Sequence, residues 1–307
     1  MGNNYIFFKN KVVPLDEART GVLTHALHYS TSCFEGIRGN WNESSGTMHV
    51  FRLLEHYERL HRSADVFMIE LGHTPEELCG ITVDLLQQCG YREDVYIRPM
   101  AYKSSERIAT LNLRDLESSL VIAVMPFGNY LEPSKPLRCI TSSWRKPADV
   151  AVPSNTKIAG IYTTNILAKT DAVSKGFDEA ILLAANGNVS EGSGENLFMV
   201  KDGVMHTPPI GDNCLMGITR SSVIQLAREG YGMEVRERSI QRSELYAADE
   251  VFLCGTAAHI TPVGELDNRA IGDGRAGDIT TKLQSTYFDV IRGVDEKYHH
   301  WSTAVKI

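Results

Sequence analysis

Residues 178 to 207 read DEAILLAANGNVSEGSGENLFMVKDGVMHT, and this stretch limits the fold more than any other. The apolar runs EAILLAA, ENLFMV and VMHT are too short for helices and are rich in strand formers. Asn186–Gly187 and Asp202–Gly203 separate them, and dipeptides of this kind adopt the positive φ angles of two-residue hairpin turns. Strands joined in this way run antiparallel, whereas a doubly wound sheet needs a helical crossover between its parallel strands. The glycine pattern also fails the dinucleotide-binding fingerprint, because EGSGENL has Leu197 where the third glycine belongs. The expectation is an α+β fold.

The rest of the chain fits that class. YIFFKNKVV predicts a strand pair, MHVFR a strand feeding the helix LLEHYERLHRSADVF, and PEELCGITVDLLQQCG a second helix. VYIRPMAY and SLVIAVMPF read as further strands. PFGNYLEPSKP, with three prolines and a glycine, reads as a linker. The predicted organisation is a small N-terminal domain over 1–125, a linker over 126–136 and a larger C-terminal domain over 137–307. In the larger domain, ITRSSVIQLAREG and RSELYAA predict helices and EVFLCGTA a strand. A last helix is expected from Gly277 to about Gly293.

Charge and cysteine usage narrow the function. Lys plus Arg number 31 against 38 for Asp plus Glu, a net charge of -7 with no basic block, which argues against nucleic acid as a partner. No apolar run approaches membrane-spanning length, and MGNNYIFFKN lacks the shape of a signal peptide. Cys33, Cys79, Cys89, Cys139, Cys214 and Cys254 are scattered without a CxxC pair, and no HExxH occurs. A cytoplasmic protein with reduced thiols and no metal site is expected.

Several residues stand out. Lys157, in PSNTKIAGIYTTNILAKTDAVSKG, precedes a helix with Ile161, Asn165, Ala168 and Ala172 along one face and Gly176 as its stop. No acidic residue lies three or four positions from it in sequence. A helix N-terminus disfavours the charged amine, which suits a nucleophile; a loop lysine laid along apolar surface is the alternative. Glu191 sits between Ser190 and Gly192, where small neighbours let another group approach closely, or else it is an edge-strand glutamate facing solvent. Gly217 and Thr219, in LMGITRSSVIQLAREG, have the composition of an anion site at a helix start, and Thr219 is equally an N-cap candidate. CGTAAHITPV supplies a second turn of small residues, Gly255 to Ala258, able to present consecutive N–H groups. Arg59 has Glu55 four residues before it, the spacing of a helix-face ion pair that Glu58 and Arg62 repeat. Arg98 lies inside an apolar strand and needs a partner or a ligand, with Tyr96 on the same face.

In order along the chain, HALHYSTSCFEGIRG, VYIRP, the isolated lysine, SEGSGENLF, LMGITR and GTAAHITPV form a set. The set resembles the branched-chain aminotransferases, members of the fold type IV class of pyridoxal 5'-phosphate (PLP) enzymes, from about Leu15 to Gly293. The resemblance implies a two-domain fold like that of the D-amino acid aminotransferases, its larger domain built on a strand-rich, barrel-like core. It implies that Lys157 holds PLP covalently and later shuttles the proton at the amino acid's Cα. Glu191 would pair with the pyridine nitrogen and Tyr162 with the phenolic oxygen, while Arg59, Ile218, Thr219 and Thr256 would bind the phosphate. Tyr96 and the backbone of Thr256–Ala257 would take the substrate α-carboxylate. Tyr29, Phe34, Phe127 and Tyr130 would line the side-chain pocket, with Arg98 reaching the γ-carboxylate of glutamate. Branched-chain L-amino acids and 2-oxo acids are then the substrates, exchanged by a ping-pong cycle in a homodimer or higher homo-oligomer.

Three departures bear on substrate preference. Ile161 stands where the family commonly has a polar residue, and Phe127 where many members have tryptophan. KSSERIATLNLRD lacks the glycine-rich form usual in the substrate loop and brings in Arg107. Such changes would admit larger or aromatic substrates, or (R)-amines. Within the same fold the alternatives are a D-amino acid or (R)-amine transaminase and an aminodeoxychorismate lyase. The alternatives outside catalysis are a silent PLP-binding or interaction protein, and a chain in which every one of these motifs is a helix cap or a turn.

Overall fold

The computed structural model describes residues 4–128, 131–132 and 135–307. Tyr130 lies outside them. Contacts divide the chain into two compact units: residues 1–128, 156–160 and 289–307 form the first, and 129–155 with 161–288 the second. The chain first leaves unit one after Gly128. Two segments expected with the C-terminal domain, Thr156–Gly160 and Asp289–Ile307, group with the N-terminal unit.

Unit one opens with β1 (Tyr5–Phe8) and β2 (Lys11–Pro14), then α1 (His25–Tyr29), β3 (Ser32–Phe34), β4 (Ile37–Asn42) and β5 (Thr47–Phe51). It continues with α2 (Leu53–Val66), α3 (Pro75–Cys89), β6 (Val95–Lys103) and β7 (Ser118–Pro126). Unit two holds β8 (Leu137–Arg145), α4 (Tyr162–Ser174), β9 (Glu179–Leu183), β10 (Val189–Gly192), β11 (Asn196–Lys201) and β12 (Val204–Thr207). After them come α5 (Ile218–Gln225), β13 (Val235–Glu237), α6 (Arg242–Tyr246), β14 (Glu250–Gly255), β15 (His259–Leu266), β16 (Arg269–Ala270) and α7 (Asp278–Ile291). The chain ends in β17 (Ser302–Lys306).

The sheet of unit one runs β17-β5-β4-β6-β7-β1-β2, with β3 also on β6. β6 alternates buried Val95 and Ile97 with half-buried Tyr96 and Arg98, as a strand with two different faces must. β3 and β4 continue one register along β6, with Phe34 opposite Met100 and Ile37 opposite Ile97. Between them the Glu35 N–H donates to the Pro99 carbonyl at 2.9 Å. Proline has no N–H to return, so the ladder breaks there. Alternation then sends Phe34, Gly36 and Arg38 to the face of Tyr96 and Arg98, and Glu35 to the opposite face.

α2 buries Leu53, His56, Tyr57, Leu60, Ser63 and Ala64, the i, i+3, i+4, i+7 stripe of an amphipathic helix. α3 starts at a capping box of Thr74 and Glu77 with Pro75 in its first turn, and stops at Gly90, whose φ is 67°.

The sheet of unit two runs β10-β9-β8-β15-β14-β11-β12-β13, with β16 also on β15. Both expected turns occur, but only Asp202–Gly203, with φ 50° and 74°, is a two-residue hairpin turn; β9 and β10 are joined by the longer loop 184–188, in which Gly187 has φ 89°. The sheet is mixed, however: β8 runs parallel to both β9 and β15, and β12 parallel to β13. Its core gathers Leu137, Ile181, Leu183, Val189, Leu197, Met199, Leu253 and Val263.

Candidate active site

The candidate residues fall into two groups, one in each unit. In unit one, Lys157 follows the edge of β3. Its carbonyl accepts the Phe34 N–H at 3.1 Å, its N–H donates to Ser63 Oγ of α2 at 3.1 Å, and Ile158 bridges to Cys33. These ties are main-chain ties on the Lys157 side, so the segment is held independently of the amine. The ammonium lies 5.3 Å from the centre of the Phe34 ring. As expected, a helix follows: a 3-10 turn over Ala159–Ile161 leads into α4, which buries Asn165, Ala168 and Ala172 and ends ahead of Gly176, φ 80°.

Phe34 also carries Arg98, whose guanidinium is centred 4.4 Å from the ring. Arg98 Nη2 donates to Tyr96 Oη at 3.0 Å, and Tyr96 packs 5.0 Å from Phe127. Arg38 closes the row, 5.3 Å from the Phe127 ring, while donating to the Phe127 and Gly128 carbonyls at 3.1 Å each. Three rings and two guanidinium groups therefore line up in the order Phe34, Arg98, Tyr96, Phe127, Arg38, each cation lying against a ring. Gly36 makes room for this: a Cβ there would lie 1.9 Å from Tyr96 Oη. Among the described residues Arg98 has no carboxylate within ion-pair distance, and its Nε is buried without a partner. Tyr29 is placed differently, 39 % exposed on α1, its hydroxyl accepting from the Ala109 N–H at 2.9 Å.

Arg59 does not use the acidic residue expected from helix spacing. Glu55 pairs with Arg52 at 2.8 Å, and Arg59 grips Glu35 through Nε and Nη2, both at 2.7 Å. His56 Nδ1 lies 2.7 Å from the same carboxylate. Glu35 is fully buried. Burial opposes its ionisation, but the Arg59 charge and hydrogen bonds, with those of His56, hold its carboxyl well below the usual carboxylate range. Burial in turn lowers the pKa of His56.

In unit two, Glu191 sits at a β-bulge. Val189 pairs with Leu183 and Glu191 with Leu182, so Ser190 is the extra residue that re-aims the strand. The glutamate is 6 % exposed, not the solvent-facing edge residue of the alternative reading. Its Oε1 accepts from Lys146 Nζ at 2.7 Å, and its Oε2 from the Leu215 N–H at 2.9 Å and Asn196 Nδ2 at 3.3 Å. Asn196 also donates to the Leu215 carbonyl at 2.7 Å. This packing requires Gly217, since a Cβ there would lie 2.0 Å from Asn196 Oδ1. Nearby Glu195 is pushed up to about 8, by burial first and then by the charge of Glu179.

Gly217 is the N-cap of α5, with Ile218 and Thr219 in its first turn. Thr219 is therefore inside the helix and not its cap. The N-cap, being glycine, makes no side-chain cap bond, and the N–H groups of a first turn suit an oxyanion. Thr256 and Ala257 lie in the turn between β14 and β15. Tyr162 is the first residue of α4, three positions ahead of Asn165, whose Nδ2 donates to the Ser193 carbonyl at 2.7 Å.

The donor set fits PLP. A carboxylate has about four acceptor directions, and three of Glu191's are taken, which leaves one for a protonated ring nitrogen. Among the described residues no cluster of His, Cys, Asp and Glu is arranged for a metal ion.

Sequence reasoning missed Lys146, Asn196, Glu35 and Arg38. Lys146 follows Arg145 in a polar stretch that reads as solvent-facing. Glu35 had a signal, an acid set between Phe34 and the Gly36–Ile37 pair.

The family model described as amino-transferase class IV matches residues 32–266. A probable branched-chain-amino-acid aminotransferase of Aquifex aeolicus is 47% identical over 302 residues, covering 98% of this chain and 97% of the relative. The structure is similar to a branched-chain aminotransferase of Thermoproteus uzoniensis crystallised with norvaline, with TM-score 0.94, 43% identity and 99% of both chains covered. It is also similar to the PLP form of a branched-chain amino acid aminotransferase from Thermobaculum terrenum, with TM-score 0.95 and 37% identity, covering 100% of this chain and 99% of that one.

Proposed function

The chain belongs to the class IV amino-transferases, and on that premise we propose that it moves amino groups from leucine, isoleucine and valine to 2-oxoglutarate, with PLP as cofactor. The products are the branched-chain 2-oxo acids and L-glutamate, formed in a ping-pong cycle. The observation that carries the substrate assignment is Arg98: a cation seated between Phe34 and Tyr96 on an aromatic face, with no carboxylate partner among the described residues. An aliphatic side chain can pack on the rings, and a γ-carboxylate can pair with the guanidinium.

Bound PLP supplies an electron sink for bond breaking at the amino acid's Cα. Lys157 Nζ holds the cofactor and carries the Cα proton. Glu191 accepts the ring N–H, and Tyr162 donates to the ring oxygen. The first turn of α5 at Ile218 and Thr219, with Thr256 and Arg59, holds the phosphate. Glu35 fixes two edges of the Arg59 guanidinium, which keeps that cation oriented. Tyr96 and the Thr256–Ala257 backbone orient the α-carboxylate. Arg38 holds Phe127 against Tyr96 as one wall of the pocket.

A homodimer or larger homo-oligomer agrees with the exposed apolar side chains Val22, Leu27 and Leu111. A cytoplasmic location agrees with six unpaired cysteines. Among the described residues no helix is long and apolar enough to cross a membrane.

The direct test is the visible spectrum of the protein with PLP, before and after L-leucine. Loss of the yellow band with leucine supports the assignment; bleaching only by D-alanine or (R)-1-phenylethylamine overturns it. Arg98→Leu separates the two substrate classes. Losing a charge-assisted contact to the γ-carboxylate should cut kcat/KM for glutamate and 2-oxoglutarate roughly 10²-fold, with leucine changed only a few-fold in single-turnover assays.

A further inference from the structure

Lys146 has no place in the roles described so far, yet it is 2 % exposed and makes the shortest contact to Glu191. Its position is built. β8 ends at Arg145, opposite Leu183 of β9, and the Lys146 N–H donates to the Leu183 carbonyl at 2.9 Å. β9 separates it from β10, so the side chain reaches past one strand to Glu191. There Nζ also donates to Asn165 Oδ1 at 3.4 Å. Asn165 is held in turn through the Ser193 carbonyl, two residues beyond Glu191. The charge of Glu191 is also felt at Glu195 and at Cys214, where Arg220 acts as well.

A buried carboxylate without a counter-ion is costly. We propose that Lys146 is a positioning residue that serves as the resident counter-ion of Glu191, holding its carboxylate aimed before any cofactor arrives. The inference rests on the reading that Glu191 meets the PLP ring nitrogen. When the protonated ring nitrogen binds, Glu191 gains a second cation, so the cofactor can take over part of what Lys146 does. Lys146 thereby gives the buried Glu191 side chain a partner in the apo chain, and the site is ready when PLP enters.

The sign of the effect follows. Removing Lys146 leaves the apo protein with a buried, uncompensated carboxylate, while the loaded protein keeps the ring N–H as partner. Lys146→Met, followed by thermal unfolding at pH 8, should lower the apo Tm by roughly 10 °C and the loaded Tm by less than half as much. The PLP analogue with carbon in place of the ring nitrogen carries no such proton and should leave the gap open. Lys146→Arg, which restores the charge, should restore the apo Tm. Lys146→Gln keeps a donor without the charge and reads the same difference if the methionine variant does not fold without cofactor. Equal losses in apo and loaded protein, or a gap closed equally by the carbon analogue, would make Lys146 an ordinary strand anchor and overturn the proposal. A wild-type protein that takes up no PLP sinks the functional reading itself, and shows this before any variant is compared.

Discussion

Lys157→Ala is expected to abolish the visible cofactor band and to slow the half-reaction with L-leucine by at least about 10⁴-fold, the upper range for losing a positioned acid–base group. Loss of the covalent attachment adds to that deficit. The variant should still fold, because the Phe34 and Ser63 contacts of this segment are made by the Lys157 main chain. Circular dichroism and the apo Tm should match the wild type, and rapid-mixing absorbance after PLP and leucine should show no bleaching. A variant that keeps the band and turns over within tenfold of wild type would show that another group holds the cofactor.

Glu35→Ala should have the largest effect on stability, about 3–5 kcal/mol. It strips the buried Arg59 of a bidentate partner and His56 of its acceptor in one step. Urea unfolding at pH 7 measures the loss, and a change below 1 kcal/mol would refute the account. The same cluster sets an acid limit on the wild type. The carboxyl pKa of Glu35 is depressed in the folded state, so on acidification the unfolded chain takes up that proton first. This contribution is present above about pH 4.3 and fades as pH falls further. The buried His56, whose folded pKa is also lowered, acts in the same direction below about pH 6.5. The urea midpoint should therefore fall between pH 7 and pH 5 through His56 and again below about pH 4.3 through Glu35, and Glu35→Ala should lose only the second fall.

What could be read from the sequence was local. The turns at Asn186–Gly187 and Asp202–Gly203 were legible because each dipeptide supplies a residue of positive φ. α2 and α3 were legible from a period of 3.6 and, for α3, from its capping box and terminal glycine. Partners distant in sequence were not. The spacing of Arg59 from Glu55 suggested a helix-face pair, but Glu55 turns to Arg52 and Arg59 to Glu35. That choice depends on Pro99 breaking the ladder where Glu35 faces α2, a condition no window around Arg59 contains. LRCITSSWR did not register as a strand, although β8 is central and parallel to both neighbours. It has few apolar residues, and its parallel partners lie dozens of positions away. Lys146, one residue beyond it, was hidden for the same reason. Glu191 was only half legible: its small neighbours left both a close approach and a solvent-facing edge open, and its burial appears only in the folded chain.

β17 pairs with β5 from Ser302–Phe51 to Lys306–Thr47, and this has a consequence for synthesis. A ribosome delivers residues 47–51 long before 302–306, so until the latter emerge β5 is an open border of its sheet. An unpaired strand border is a template for other chains. Unit one therefore starts before unit two and is completed after it. Deleting the final few residues would leave that border open for good, so shortened chains should aggregate in proportion to how much of the last strand they lack.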